Sequence, residues 1–226
     1  MLDQETLYAI GMIAVRHQLY IIADEIYEYL IYGDKVPSIA ALSEEIKSRT
    51  ITINGLSKAY AMTGWRIGYA CGPLPVIRAM TVLQSYTTSN PSSIGQYAAI
   101  TALKDEGDTV KKMTESFDER RQYLIREIRS IPGLACPDAR GAFYLMVDVS
   151  RYFGSVYEKG TIANSKDFAE YLLEQAGVVV TPGDMFQAPR FIRLSYATSM
   201  TQLQEAVALI RAALSPLKMR EENLSY

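Results

Sequence analysis

Lys58 and Arg66 are the two residues whose types and spacing suggest the most specific chemistry. Lys58 lies in a loop of small residues that follows the strand-like run 50–54. An amine in a confined, partly desolvated site loses its proton more readily and can attack an aldehyde. The planar guanidinium of Arg66 is suited to binding a phosphate. The residue types alone leave a plainer alternative open, which is an exposed loop lysine and a surface arginine.

Asp24 and Tyr27 form a second pair, directly after the apolar run 19–23. This run is predicted to be a short strand that is buried on both faces. A carboxylate at the end of such a strand lies where open α/β sheets bind their ligands. Alone, the pattern is weak, because an aspartate in this position also caps helices.

Arg193 interrupts the strand-like run 191–197 in the last third of the chain. A charge in a half-buried strand costs several kcal/mol unless it is paired. The partner could be a substrate carboxylate that is bound through two hydrogen bonds. The alternative is an arginine that faces outward from the strand.

The composition excludes several other classes of site. The 226 residues carry a net charge of −2, which gives no electrostatic footprint for nucleic acid or an anionic membrane. No apolar run approaches the roughly 20 residues of a membrane span. One histidine, His17, and two scattered cysteines argue against a hydrolase triad, a metal site or a disulfide framework. A reducing cytoplasm is the expected location.

Apolar periodicity predicts the elements that position these residues. Asp3 caps a helix that runs to about Gln18 and packs through Leu7, Ile10, Ile13 and Ala14. Strands are predicted at 19–23, 50–54, 67–70, 143–148, 178–181 and 191–196. Helices are predicted at 92–104, 108–130, 165–176 and 201–215. The first strands favour a mostly parallel sheet covered by helices. We therefore predict part of a large α/β domain over 1–105, a connecting helix over 106–130, and a smaller α+β domain over 131–226.

The segment around Lys58 resembles the lysine signature of class I/II aminotransferases, which are pyridoxal-phosphate enzymes of fold type I. The matching residues are Gly55, Ser57-Lys58, Ala61-Met62, Gly64 and Arg66-Ile67-Gly68. A match spread over fourteen positions is far more specific than a lone glycine-rich loop. The same family has an Asp-x-x-Tyr motif upstream of the lysine, which corresponds here to Asp24 and Tyr27.

This resemblance implies a fold, a cofactor and a role for each residue. Lys58 would hold pyridoxal phosphate as a Schiff base and move the proton, and Arg66 would bind the phosphate. Asp24 would pair with the pyridine nitrogen and Tyr27 with the ring hydroxyl. Arg193 would bind the α-carboxylate of an amino acid or 2-oxo acid substrate, of aspartate or aromatic type.

The resemblance also implies a homodimer, with the segment 84–91 near the subunit boundary. It covers residues 3–215, yet the family's chains are longer at the N-terminus. We therefore expect an N-terminally truncated chain and an exposed apolar sheet face. The family's N-terminal portion supplies part of the cofactor site. Many relatives also have a serine at the position of Gly55. The phosphate contact would then come from a backbone amide, from Ser57 or from neither.

Two other functions remain open. A lyase or synthase of the same fold would share Asp24, Lys58 and Arg66. A non-catalytic remnant would act only by association, and a truncated chain is consistent with that reading.

Overall fold

A computed structural model describes residues 2–105 and 108–219. The chain forms two compact units that divide between Thr114 and Glu115. In chain order, the helices and strands before the division are α1 Gln4–Arg16, β1 Ile21–Asp24, α2 Glu44–Lys47, β2 Thr50–Gly55, β3 Gly68–Cys71, α3 Leu74–Thr87 and α4 Ser93–Lys104. Helix α5, Asp108–Arg129, spans the division. The second unit continues with β4 Tyr144–Asp148, β5 Val156–Tyr157, β6 Gly160–Thr161, α6 Ser165–Ala176, β7 Thr181–Pro182, β8 Phe191–Ser195 and α7 Met200–Leu214.

The first unit contains a three-stranded sheet in the order β1-β2-β3. Strands β1 and β2 are parallel, and Asp24 pairs with Ile53 at their carboxyl ends. Strand β3 is antiparallel to β2, and Gly55 pairs with Gly68. The connection from β1 to β2 contains α2 and allows a parallel crossover, whereas the loop that carries Lys58 reverses the chain. The α/β prediction is confirmed, and the sheet of the first unit contains one parallel and one antiparallel pair of strands.

Helix α1 begins where the sequence predicts, because the Asp3 carboxylate accepts a hydrogen bond from the Thr6 amide at 2.8 Å. Its buried face is not the predicted one. Gly11 and Ala14 are buried, whereas Ile10 and Ile13 are 40% and 54% exposed. A Cβ at position 11 would lie 2.5 Å from the side chain of Ile46. The glycine therefore brings α1 close to α2 and centres the buried stripe on Gly11.

The prediction that the 19–23 strand is buried on both faces is wrong for the described residues. Burial alternates along β1, and Ile22 is 69% exposed. No described element covers the face on which Ile22 lies. The apolar sequence of β1 is therefore typical of a two-sided strand, while only one of its sides is covered here.

The second unit contains an antiparallel sheet, β4-β8-β7, against which α6 packs, and α7 packs against α6. Its core contains the fully buried side chains of Tyr196, Phe168 and Ile192. Asn164 caps the start of α6, and Gly177 ends it in the left-handed conformation, at φ 64°. An antiparallel sheet with helices agrees with the predicted α+β class. Strand β7 is shorter than the predicted 178–181 strand.

The predicted helices at 92–104, 108–130, 165–176 and 201–215 correspond to α4, α5, α6 and α7. Helix α3 was not predicted. Within the described ranges, no helix is long and apolar enough to cross a membrane. The same residues contain no cluster of metal-binding side chains.

Candidate functional site

The loop that carries Lys58 is fixed by backbone hydrogen bonds to its own root. The Leu56 amide donates to the Ile67 carbonyl at 3.2 Å, which extends the pairing of β2 with β3. The Leu56 carbonyl then accepts from the amides of both Tyr60 and Met62, each at 3.3 Å. Leu56, Ile67 and Ala99 form a buried cluster against which Tyr60 and Met62 pack. The half-buried Lys58 therefore lies in a tight turn rather than in a loose surface loop.

Arg66 lies at the other end of the same loop, just before β3. Its backbone is left-handed, with φ 56° and ψ 46°, a conformation that costs a residue with a Cβ about 1–2 kcal/mol. Its exposed guanidinium donates from Nη1 to the Thr63 carbonyl at 3.0 Å. Because Gly55 pairs with Gly68, Lys58 and Arg66 leave the sheet on the same side of that pair.

Asp24 is the last residue of β1, and Tyr27 follows the strand at this same edge. The Glu25 amide donates to the Ile53 carbonyl at 2.9 Å, so the chain leaves β1 beside the end of β2. One carboxylate oxygen of Asp24 accepts from the Ile26 amide at 3.2 Å. The segment that follows is a turn, and no helix begins there. The helix-capping alternative for Asp24 is therefore replaced by a capped turn, and the half-buried Tyr27 lies within that turn.

The four side chains of this edge match the functional groups of pyridoxal phosphate. An amine, a guanidinium, a carboxylate and a phenol are the partners for an aldehyde, a phosphate, a pyridine nitrogen and a ring hydroxyl. The register of β1, β2 and β3 brings all four chain segments to one sheet edge. The donor set therefore fits the cofactor, and the individual roles remain predictions.

Gly55 is required by the close packing of the loop root. A Cβ there would lie 2.8 Å from the Ile67 carbonyl oxygen and 3.1 Å from the Gly68 Cα. The Gly55 amide donates to the side-chain oxygen of Asn54 at 2.7 Å. This amide is therefore already engaged, and the phosphate contact stays open among another backbone amide, Ser57 and neither of them.

A polar cluster beside the loop was missed by the sequence reasoning. It consists of Glu28, Tyr29, Asn54, Tyr60 and Tyr69, and we call it the Glu28 cluster. The Asn54 Nδ2 donates to the Glu28 Oε1 at 2.6 Å, and the rings of Tyr29 and Tyr60 meet edge to face at 6.1 Å. Burial raises the pKa of Glu28, and the hydrogen bond from Asn54 partly opposes the rise. Burial also raises the pKa values of Tyr60 and Tyr69.

Arg193 lies in β8, the central strand of the second unit, where it pairs with Met146 and Thr181. The half-buried guanidinium stacks over the rings of Tyr144 and Phe186. Its Cζ lies 4.3 Å from the centroid of each ring. Within the described ranges, no carboxylate forms an ion pair with it. Cation–π contacts of this kind contribute about 0.5–2 kcal/mol and hold the planar fork in one orientation. A carboxylate ligand remains the predicted partner of Arg193.

A surface groove of about 580 Å³ lies elsewhere in the second unit, beside α6. Leu173, Val179 and Met185 contribute its apolar walls. None of the five predicted site residues lines this groove, so its size does not mark it as the cofactor site.

The model of the family "Aminotransferase class I and II" matches residues 1–210. The chain belongs to this family. It is 45% identical over 208 residues to the aspartate aminotransferase of Bacillus sp. strain YM-2, covering 92% of this chain and 52% of that protein. It is 44% identical over 215 residues to the aspartate/prephenate aminotransferase of Nitrosomonas europaea, covering 93% and 54%.

The crystal structure of the Rhizobium meliloti aspartate aminotransferase superposes with a TM-score of 0.92 at 42% identity. That match covers 96% of this chain and 55% of the other. The chain therefore spans about half the length of the relatives that it matches, with the fold of the family over the shared part.

Proposed function

We propose that this chain carries the cofactor lysine of a pyridoxal-phosphate aminotransferase, which moves an amino group between an amino acid and a 2-oxo acid. The observation that carries the proposal is the strand register, which gathers the segments of Asp24, Lys58 and Arg66 at one sheet edge. Membership of the aminotransferase family supports it.

Each side chain has one task in this proposal. Pyridoxal phosphate, when bound, supplies an electron sink and a carbonyl carbon for the amino group. Lys58 would hold the cofactor covalently, and its amine would take up the α-proton of the substrate and return it. Asp24 would hold the ring nitrogen in its protonated form, Tyr27 would donate to the ring oxygen, and Arg66 would bind the phosphate.

Arg193 holds the substrate α-carboxylate in this scheme. The rings of Tyr144 and Phe186 fix the plane of its guanidinium before the ligand arrives, which reduces the entropy cost of binding. We propose an aspartate-type or aromatic amino acid as the donor, because relatives are named for aspartate and prephenate.

We also propose a homodimer and a reducing compartment. Helix α3 has no buried residue although most of its side chains are apolar, and the predicted boundary segment 84–91 begins within it. The two cysteines, Cys71 and Cys136, are both free thiols, as expected for a reducing location. The division into 1–105, 106–130 and 131–226 remains a prediction.

The central test is covalent labelling of Lys58. The chain is mixed with pyridoxal phosphate, reduced with borohydride, dialysed and digested, and the labelled peptide is identified by mass spectrometry. The parent chain should carry the label at position 58, and Lys58→Ala should carry none. Lys47→Ala is the matched control, because Lys47 is an exposed lysine of the same unit that pairs only with Glu44 among the described residues. Label that persists in Lys58→Ala would contradict the proposal.

The same preparation separates the competing functions. With a 2-oxo acid present, a new amino acid indicates transfer, whereas ammonia and pyruvate indicate elimination. Labelling at Lys58 without turnover would favour the second reading, in which the chain acts only in association with a partner. The half-length match is the observation that favours this second reading.

A further inference from the structure

The Glu28 cluster has members next to each chain segment of the first unit that carries a predicted cofactor residue. Glu28 and Tyr29 directly follow Tyr27, and Asn54 directly precedes the loop root at Gly55. Tyr60 lies two residues after Lys58, and Tyr69 pairs with Asn54 in the register of β2 and β3. The family motif contains none of these five residues as a cofactor ligand in our assignment. Their placement therefore calls for a role of its own.

Asn54 links two of these segments through hydrogen bonds. It is 7% exposed, and both ends of its amide are used. The oxygen accepts from the Gly55 amide at 2.7 Å, and the nitrogen donates to Glu28 at 2.6 Å. One side chain thus ties the root of the lysine loop, residues 55–62, to the turn that carries Tyr27. A hydrogen bond to a charged acceptor in a half-buried site is shorter and stronger than a neutral one.

We propose that Asn54 and Glu28 are positioning residues, which fix the lysine loop and the Tyr27 turn in one arrangement at the sheet edge. Neither side chain is assigned a contact with the cofactor. The proposal rests on the proposed function for its purpose, but its structural part concerns this chain alone. The donor and the acceptor of the Asn54–Glu28 hydrogen bond can be exchanged by mutation. The role of the pair can therefore be separated from a general contribution to stability.

The test exchanges donor and acceptor across the pair. Asn54→Asp keeps the acceptor for the Gly55 amide, but it removes the donor to Glu28 and places two carboxylates together. The double variant Asn54→Asp with Glu28→Gln restores a donor on the other side of the pair. We expect Asn54→Asp to speed hydrogen–deuterium exchange of the lysine loop by about tenfold in the cofactor-free chain, and the double variant to recover most of that protection.

Ile46→Val is the control for general destabilisation. Ile46 is fully buried against Gly11 of α1, and it has no part in the Glu28 cluster. This variant should lower the unfolding midpoint. Relative to the parent chain, it should not accelerate hydrogen exchange in the lysine loop more than in α1. The proposal is overturned by unchanged exchange in Asn54→Asp, by the same loop effect in Ile46→Val, or by no recovery in the double variant.

The cofactor supplies a second readout on the same proteins. Asn54→Asp should weaken pyridoxal phosphate binding by about tenfold, measured by its absorbance, and the double variant should bind within about threefold of the parent. If the parent chain takes no label at Lys58, the proposed function fails while the exchange result still decides the positioning role. If the parent is labelled and all variants bind alike, only the positioning role fails.

Discussion

Glu28 is a carboxylate whose surroundings disfavour its charge. Burial raises its pKa above the usual value of 4.5, Glu25 adds to the rise, and Asn54 and Lys35 oppose it. The folded chain therefore holds this proton more tightly than the unfolded chain does. The stabilisation that results is fully present below pH 4.5 and is lost as the pH rises through the folded pKa.

Glu28→Gln should consequently gain stability relative to the parent chain as the pH rises from 4.5 to about 7. The glutamine is neutral throughout, and its side-chain oxygen can still accept from Asn54. Urea unfolding of both proteins at the two pH values measures the difference. Glu44→Gln is the control, because the Glu44 side chain is 88% exposed and its pair with Lys47 is weak. A difference for Glu28→Gln that is the same at both pH values would contradict this prediction.

At the residue scale, the sequence motif indicates candidate ligands but not the residues that support them. Lys58, Arg66, Asp24 and Tyr27 fall in a motif of local spacing, and the strand register then places them at one edge. Glu28 and Asn54 were missed because they are 26 residues apart in the chain and meet only through the pairing of β1 with β2. Tyr144 was missed as a partner of Arg193 because it is 49 residues away in the chain and meets it only through the pairing of β4 with β8.

Helix α6 depends on the side chain that precedes it. The Asn164 oxygen accepts from the amides of Lys166 and Asp167, at 2.9 and 3.0 Å. Asn164→Ala leaves these two amides without an acceptor and should lower the free energy of unfolding of the second unit by about 1 kcal/mol. Urea denaturation, monitored by circular dichroism, measures the loss of stability.

Asn164→Ser supplies the control for that experiment, since a serine hydroxyl can accept from the same amides. It should retain most of the stability that the alanine variant loses. Equal unfolding midpoints for the alanine variant and the parent chain would show that the cap contributes nothing.

The elements that were predicted well have strong local signals. Asp3 caps α1 as expected, and the long apolar periodicity of α5 is confirmed. Helix α3 was missed because Pro73 and Pro75 were not interpreted as a helix start, although proline is favoured in a first turn. The buried faces of α1 and β1 were wrong because periodicity reports which residues are apolar. It does not report which neighbour covers them.

At the scale of the whole molecule, the uncovered apolar surface is the dominant feature of the first unit. Leu83 and Tyr86 of α3 are 65% and 85% exposed, and Tyr97 of α4 is also exposed. Exposed apolar residues in this number mark a surface that binds another protein segment. Two occupants are physically reasonable, namely a second copy of the chain and the additional half that the relatives have. In the proposed homodimer, a second copy of the chain covers the exposed face of α3.

Leu83→Glu should therefore convert a dimer to a monomer. A carboxylate placed inside an apolar interface loses its hydration without gaining a partner, which costs several kcal/mol and shifts association by at least a hundredfold. Sedimentation velocity at micromolar concentration distinguishes the two states. Leu173→Glu is the matched control, because Leu173 is a leucine of similar exposure on α6 of the second unit. A parent chain that sediments as a monomer would contradict a second copy as the occupant of the α3 face, and a dimer that survives Leu83→Glu would place the subunit contact elsewhere.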